Sequence, residues 1–234
     1  MPGLDFFWRL EMTLKFVGPS DPHHKTAVVM LHGAGANRHD LAPLKDMLDT
    51  EGAFDWYFPE APICQSQDFN MHIWFPVADI VSMLSNPRSD LNVLESYTPP
   101  RIEEARRELD YFLAGILSKY DQIVLGGFSQ GAMMSMDYFV RNPDPKIKGI
   151  TLLSGTLADV KTWEKISDAT KRPPVFQSHG SSDPILPERF GRQLLEFLAR
   201  KNFQVSFHGF DGGHEIPQGL LNPLKVFLKS ALHD

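Results

Sequence analysis

The sequence predicts an α/β fold: a mostly parallel central sheet with helices on both faces. Three observations lead there. Strand-like and helix-like segments alternate along the chain. The run Ala27-Val28-Val29-Met30-Leu31 is apolar without interruption, as strands covered on both faces are. Neither an internal repeat nor a linker divides the 234 residues, a length that suits one domain with a substantial core. Residues 1–234 are therefore read as a single domain, with a small lid or pocket-wall insertion at about 63–98.

Residues Phe6 to Val17 show mixed alternation and are read as one or two edge strands, ended by Gly18-Pro19-Ser20-Asp21-Pro22. After the Ala27–Leu31 strand, Leu41, Leu44, Met47 and Leu48 fall at helical spacing, and Phe54 to Phe58 forms a weaker strand closed by Pro59. Residues 60–98 are the least regular part of the chain. They still carry Met71, Ile73, Trp74, Phe75, Val77, Ile80, Val81, Met83 and Leu84, more large apolar groups than a plain loop needs.

Thr98 is placed as a helix N-cap, with Pro99 at the first helical position. Ile102, Ala105, Leu109, Phe112, Leu113, Ile116 and Leu117 then predict an amphipathic helix packed on the sheet. A strand over Ile123–Leu125 leads into a helix through Val140. Strands follow at Lys148–Leu153 and Pro174–His179, with a short helix around 157–168 between them. A helix at Glu188–Lys201, a strand at Phe203–Phe207 and a final helix from about Gly219 to Leu232 complete the pattern.

Composition narrows the function. Hydrophobic residues at 42% and charged residues at 22% are ordinary for a globular protein. A net charge of -6 and a pI near 5.8 speak against a nucleic-acid partner. A single cysteine, Cys64, permits no internal disulfide, as expected in a reducing compartment, and nothing around it resembles a Cys nucleophile motif. The first residues lack the basic region and apolar core of a signal peptide, and no apolar run nears the roughly 20 residues of a membrane helix. The expectation is a cytoplasmic protein without an integral membrane segment, monomeric or a weak homodimer.

The chemistry centres on Gly127-Phe128-Ser129-Gln130-Gly131, a G-x-S-x-G between strand and helix. That context is what a nucleophile elbow requires. The turn is so tight that side chains two residues either side of the serine would collide, which accounts for Gly127 and Gly131. It also sets the Ser129 hydroxyl at a helix N-terminus, where the helix dipole and unpaired N–H groups favour a developing anion.

A serine hydroxyl needs a base, and the base needs a group to orient it. Of the histidines after Ser129, His233 lies at the chain end, His208 suits a surface position and His179 precedes the acid candidates. His214, in Asp211-Gly212-Gly213-His214-Glu215-Ile216-Pro217, falls in the loop between the last strand and last helix and is assigned as base. Asp183, after Gly180-Ser181-Ser182 and before Pro184, is the acid, with Asp211 as runner-up. Asp183 is expected to accept the Nδ1–H of His214 and leave Nε2 facing Ser129.

The glycines of Leu31-His32-Gly33-Ala34-Gly35-Ala36-Asn37 let backbone approach a substrate oxygen. The backbone N–H groups of Ala34 and Gln130 are assigned to the oxyanion hole, with His32 orienting the loop. Phe128, Met71, Trp74, Phe75 and Met133 are candidates for the acyl pocket. There is no G-x-G-x-x-G, no H-E-x-x-H and no Cys/His cluster, so neither a nucleotide cofactor nor a metal is expected.

With these residues placed, the chain resembles the phospholipase/carboxylesterase family of α/β-hydrolases, which includes acyl-protein thioesterases. The resemblance covers about residues 26 to 230. It is carried by the loop at 31–37, the elbow at 127–131, Leu153-Ser154-Gly155, His179-Gly180-Ser181-Ser182-Asp183-Pro184 and Gly212-Gly213-His214-Glu215. It implies a Ser129-Asp183-His214 triad and an aromatic pair, Trp74-Phe75, near the acyl pocket. It also implies a lipid or small-molecule ester or thioester substrate, or an acylated protein. Pro76 stands where the family usually has Asp, and residues 78–98 exceed the family's usual length there.

Overall fold

The computed structural model describes residues 14–78, 80, 82, 94 and 97–232. Strands β1 (Phe16–Val17), β2 (Thr26–Leu31), β3 (Asp55–Pro59), β6 (Gln122–Phe128), β7 (Ile147–Leu153), β8 (Val175–Gly180) and β9 (Val205–Phe210) form a seven-stranded sheet in the order β1-β3-β2-β6-β7-β8-β9. Every neighbouring pair is parallel except β1 on β3. The part of the expected Phe6–Val17 strand before residue 14 lies outside the described residues, as does His233.

The period of two along each strand divides the core into two faces. Ala27, Val29 and Leu31 point into one cluster, shared with helices α2 (Ile102–Lys119), α3 (Gln130–Arg141) and α5 (Glu188–Arg200). Val28 and Met30 point into the other, shared with α1 (Leu44–Leu48) and α6 (Gln218–Leu232). The short helix α4 (Val160–Trp163) joins the first cluster through Val160 and Trp163. Both faces are covered, which is why the central strands read as apolar runs.

Two local features differ from the sequence expectation. Thr98 does not cap α2: its N-cap is Arg101 in the left-handed region at φ 57°, without a side-chain cap, and the Thr98 hydroxyl donates instead to Asp159 at 3.1 Å. The irregular region opens with a hairpin, β4 (Ile63–Ser66) against β5 (Met71–Ile73). Residues 79, 81, 83–93 and 95–96 of the expected lid lie outside the described residues.

One buried ionic network ties the helices of the first face together. Arg106 of α2, 5% exposed, donates to Asp137 of α3 at 2.6 and 3.0 Å and to Asp159 at 2.6 Å. Trp163 Nε1 also donates to Asp137, at 3.1 Å. A buried guanidinium needs such partners to offset its lost hydration.

Candidate active site

Four of the parallel strands deliver the candidate residues from their carboxyl ends, the edge where open α/β sheets build sites. Ser129 follows β6, the middle strand of the seven; the 32–37 loop follows β2, Asp183 follows β8 and His214 follows β9. Ser129 sits at φ 54° and ψ -118°, a conformation an L-residue adopts only under constraint. Its N–H donates to Leu153 O at 2.8 Å, and its carbonyl accepts from Ala132 and Met133 as α3 begins. The elbow packs so closely on β2 that a Cβ on Gly131 would overlap the Leu31 carbonyl.

The loops after β8 and β9 are joined by backbone. Ser181 N donates to Phe210 O and Ser182 N to Gly212 O, each at 2.9 Å. A Cβ on Gly180 would strike the Gly213 carbonyl, so this contact also depends on glycine. It brings Asp183 to His214: Nδ1–H donates to Asp183 Oδ2 at 2.6 Å. Asp183 Oδ1 accepts from the N–H groups of Ile185 and Leu186 at 2.9 and 2.8 Å. Burial opposes ionisation of Asp183, but the His214 bond and these backbone donors outweigh it and hold its pKa below the usual carboxylate value. With Nδ1 so engaged, His214 keeps its Nε2 lone pair for a substrate or nucleophile proton.

Ser129, His214, Ala34 and Gln130 line one cavity of about 230 Å³. The N–H groups in the first turn of α3 have no partner within the helix, so that of Gln130 is available as a donor. Ala34 is held from several directions. His32 donates Nδ1–H to Gly33 O at 2.7 Å and accepts the Ala61 N–H on Nε2 at 3.0 Å, which fixes its tautomer. Burial lowers its pKa from 6.5 to about 4, so it stays a neutral strut. Gly35 N donates to His72 O and His72 N to Ala36 O, both at 2.8 Å, tying the loop to β5.

Of the expected pocket residues, Phe75 and Met133 line this cavity. The other three are placed differently. Trp74, fully buried, supports the wall from behind, donating Nε1–H to His32 O at 3.0 Å. Met71 packs over Gly35, and Phe128 lies on the far side of His214, ring centroids 4.8 Å apart. The Gln130 side chain explains how the aromatic pair is positioned: Oε1 accepts from Trp74 N at 2.8 Å and Nε2 donates to Phe75 O at 2.7 Å.

Sequence reasoning missed most of the remaining apolar wall. Leu157 and Ala158 follow β7, Ile185 and Leu186 follow Asp183, and Val77, Ile80 and Tyr97 come from the irregular region. The apolar pair Ile185-Leu186, one residue beyond the candidate acid Asp183, was a usable signal, because the loop that brings Asp183 to His214 must face the same cavity. Asp211 accepts from the Ser181 hydroxyl at 3.4 Å, and His208 stacks on Phe176.

A family model described as Phospholipase/Carboxylesterase matches residues 12–232. The chain belongs to the phospholipase/carboxylesterase family. Among curated relatives of this family member, acyl-protein thioesterase 1 of Gibberella zeae is 29% identical over 231 residues, spanning 92% of this chain and 94% of its own. Acyl-protein thioesterase 1 of Eremothecium gossypii is 30% identical over 219 residues, spanning 89% and 88%. Among solved structures, esterase PE8 superposes with a TM-score of 0.73 at 29% identity, covering 94% of this chain and 99% of its own. A Bacillus cereus carboxylesterase superposes at 0.67 with 21% identity over 94% and 95%, a likeness of fold. The family member thus has the α/β-hydrolase fold, and among its described residues no helix is long and apolar enough to cross a membrane.

Proposed function

We propose that this carboxylic ester hydrolase works through an acyl-enzyme on Ser129. Ser129 Oγ attacks the acyl carbonyl while His214 Nε2 takes its proton and Asp183 stabilises the imidazolium. The N–H groups of Ala34 and Gln130 hold the oxyanion. The bond to the leaving group then breaks, and His214 returns the proton to the departing oxygen or sulfur. Water repeats the sequence on the acyl-enzyme. The observation that carries this reading is the 2.6 Å bond from His214 to Asp183, with His214 and Ser129 on one cavity at the start of α3.

The substrate is read as an ester with an acyl chain of medium length. A dry cavity of 150 Å³ takes a benzene ring, so at similar packing 230 Å³ takes a chain of about eight or nine carbons. The names of the curated relatives favour a second reading, a thioester, including one on an acylated protein. A small molecule, a lipid or a protein can each carry such a chain. The test is kinetic: with p-nitrophenyl esters, Ser129→Ala loses roughly 10³-fold or more in kcat with the fold intact. Retained activity removes Ser129 as nucleophile. Matched octanoyl esters and thioesters decide between the two readings, and activity against neither favours a non-catalytic binding protein.

A further inference from the structure

His214 borders a second space besides the cavity beside Ser129. On its other side an open groove of about 630 Å³ runs between α1 and the start of α6. Its apolar walls are Leu41, Leu44, Met47, Phe128, Ile216 and Leu221. Met47 is 54% exposed although its helix turns Leu44 and Leu48 inward, so the groove carries an exposed apolar side chain on its α1 wall. Asp40 and Glu215 stand at its rim, both exposed, and among the described residues no Lys or Arg lines it.

We infer that this groove is the subsite for the leaving alcohol or thiol, and that it selects an apolar leaving group that is neutral or cationic. The inference rests on the acyl-enzyme reading above. The oxyanion donors Ala34 and Gln130 line the cavity beside Ser129, which assigns that space to the acyl half of the substrate. The leaving atom departs from the opposite side of the carbonyl carbon, and it must lie within reach of His214 to receive its proton. The imidazole is the one catalytic side chain shared by both spaces, so the leaving group extends past it into the groove. Ser129 Oγ forms the acyl bond, the carbon–oxygen or carbon–sulfur bond breaks, and the protonated alcohol or thiol leaves along Phe128 and Met47. The acidic rim attracts a cation and repels a carboxylate.

The experiment compares ethyl octanoate with hexyl octanoate, whose alkoxides are similar leaving groups chemically. The wild type is expected to prefer the hexyl ester about tenfold in kcat/KM. Met47→Glu and Leu221→Glu should each remove most of that preference. Val226→Glu, on the same final helix but 61% exposed and outside the groove, should keep it. A 6-aminohexyl ester should outpace a 5-carboxypentyl ester several-fold. Equal rates for ethyl and hexyl esters in the wild type overturn the inference. So does an effect of the groove variants that follows acyl length, acetyl against octanoyl with the alcohol held as ethyl. Activity surviving in Ser129→Ala would instead overturn the acyl-enzyme reading, so the two failures are separable.

Discussion

Asp183 Oδ2 lies 2.6 Å from Nδ1 of His214 and 3.5 Å from Nε2 of the fully buried His179, so one carboxylate oxygen faces two imidazoles. The two rings differ in role. His179 donates Nε2–H to Leu186 O at 2.7 Å, and burial lowers its pKa, which keeps it a neutral support for the loop. His214 is the ring that borders the cavity.

Replacing Asp183 by Asn should therefore preserve the shape and lose the tautomer control. Steady-state kinetics should show kcat down by about 10³ to 10⁴, with KM within a few-fold. Asp211→Asn, altering the runner-up acid, should stay within about threefold of wild type. The reverse ranking would make Asp211 the orienting group.

Stability should fall on mild acidification because His32 is buried in its neutral form. Its folded pKa, about 4, lies below the ordinary 6.5, so between those values the unfolded chain binds a proton that the folded one does not. Stability from this group is complete above about pH 6.5 and declines toward pH 4, by up to about 3 kcal/mol. Asp183 adds a separate loss at lower pH, because its depressed folded pKa is passed only after the ordinary carboxylate value near 3.9. Urea unfolding at pH 7, 5.5 and 4 checks this. His32→Gln should flatten the slope, and an unchanged slope would remove His32 as its source.

The Arg106 network predicts a link between stability and acyl selectivity. Arg106→Ala takes a guanidinium from two buried carboxylates. Asp137 keeps Arg141 and Trp163, and Asp159 keeps Thr98, so the cost falls at the low end for a broken buried pair, about 3 kcal/mol. The melting temperature should drop by about 6–12 °C. Asp159→Asn is milder, and it loosens both Thr98 and the adjoining Leu157 and Ala158 of the cavity wall. It should raise KM several-fold for an octanoyl ester while leaving an acetyl ester nearly unaffected. Equal effects on both esters would mean that the network does not shape the wall.

Gln130→Ala separates backbone from side chain. The variant keeps the N–H assigned to the oxyanion but strands Trp74 N and Phe75 O, at about 1–3 kcal/mol for each buried group. KM for octanoyl esters should rise several-fold, with kcat for an acetyl ester changing less than tenfold. A larger fall in kcat for the acetyl ester would place the side chain in the chemistry itself.

The parallel sheet was legible because its central strands are buried on both faces and read as apolar runs, and the elbow because two glycines flank Ser129. The proximity of Asp183 and His214 was inferable from chain order. Their separation of 31 residues is closed by backbone bonds between the loops, which leave no pattern in the side chains. Arg106 shows the limit most clearly. On a helical wheel it falls inside the apolar face, beside Ile102, Leu109 and Leu113, yet nothing local names its partners, which stand 31 and 53 residues away. Thr98 misled for a related reason: its hydroxyl has a distant carboxylate partner, so the local capping rule lost to a tertiary contact. The placements of Met71 and Trp74 depend on how the β4–β5 hairpin folds over the 32–37 loop, and that of Phe128 on where the loop after β9 sets His214, neither of which hydrophobicity alone encodes.

Labelling with a fluorophosphonate, followed by peptide mass mapping, tests the central claim most directly. One adduct on Ser129, formed rapidly by the wild type and much more slowly by His214→Ala, is the predicted result. A wild-type protein that hydrolyses esters yet carries no adduct on Ser129, or one labelled equally fast without the imidazole, would contradict it.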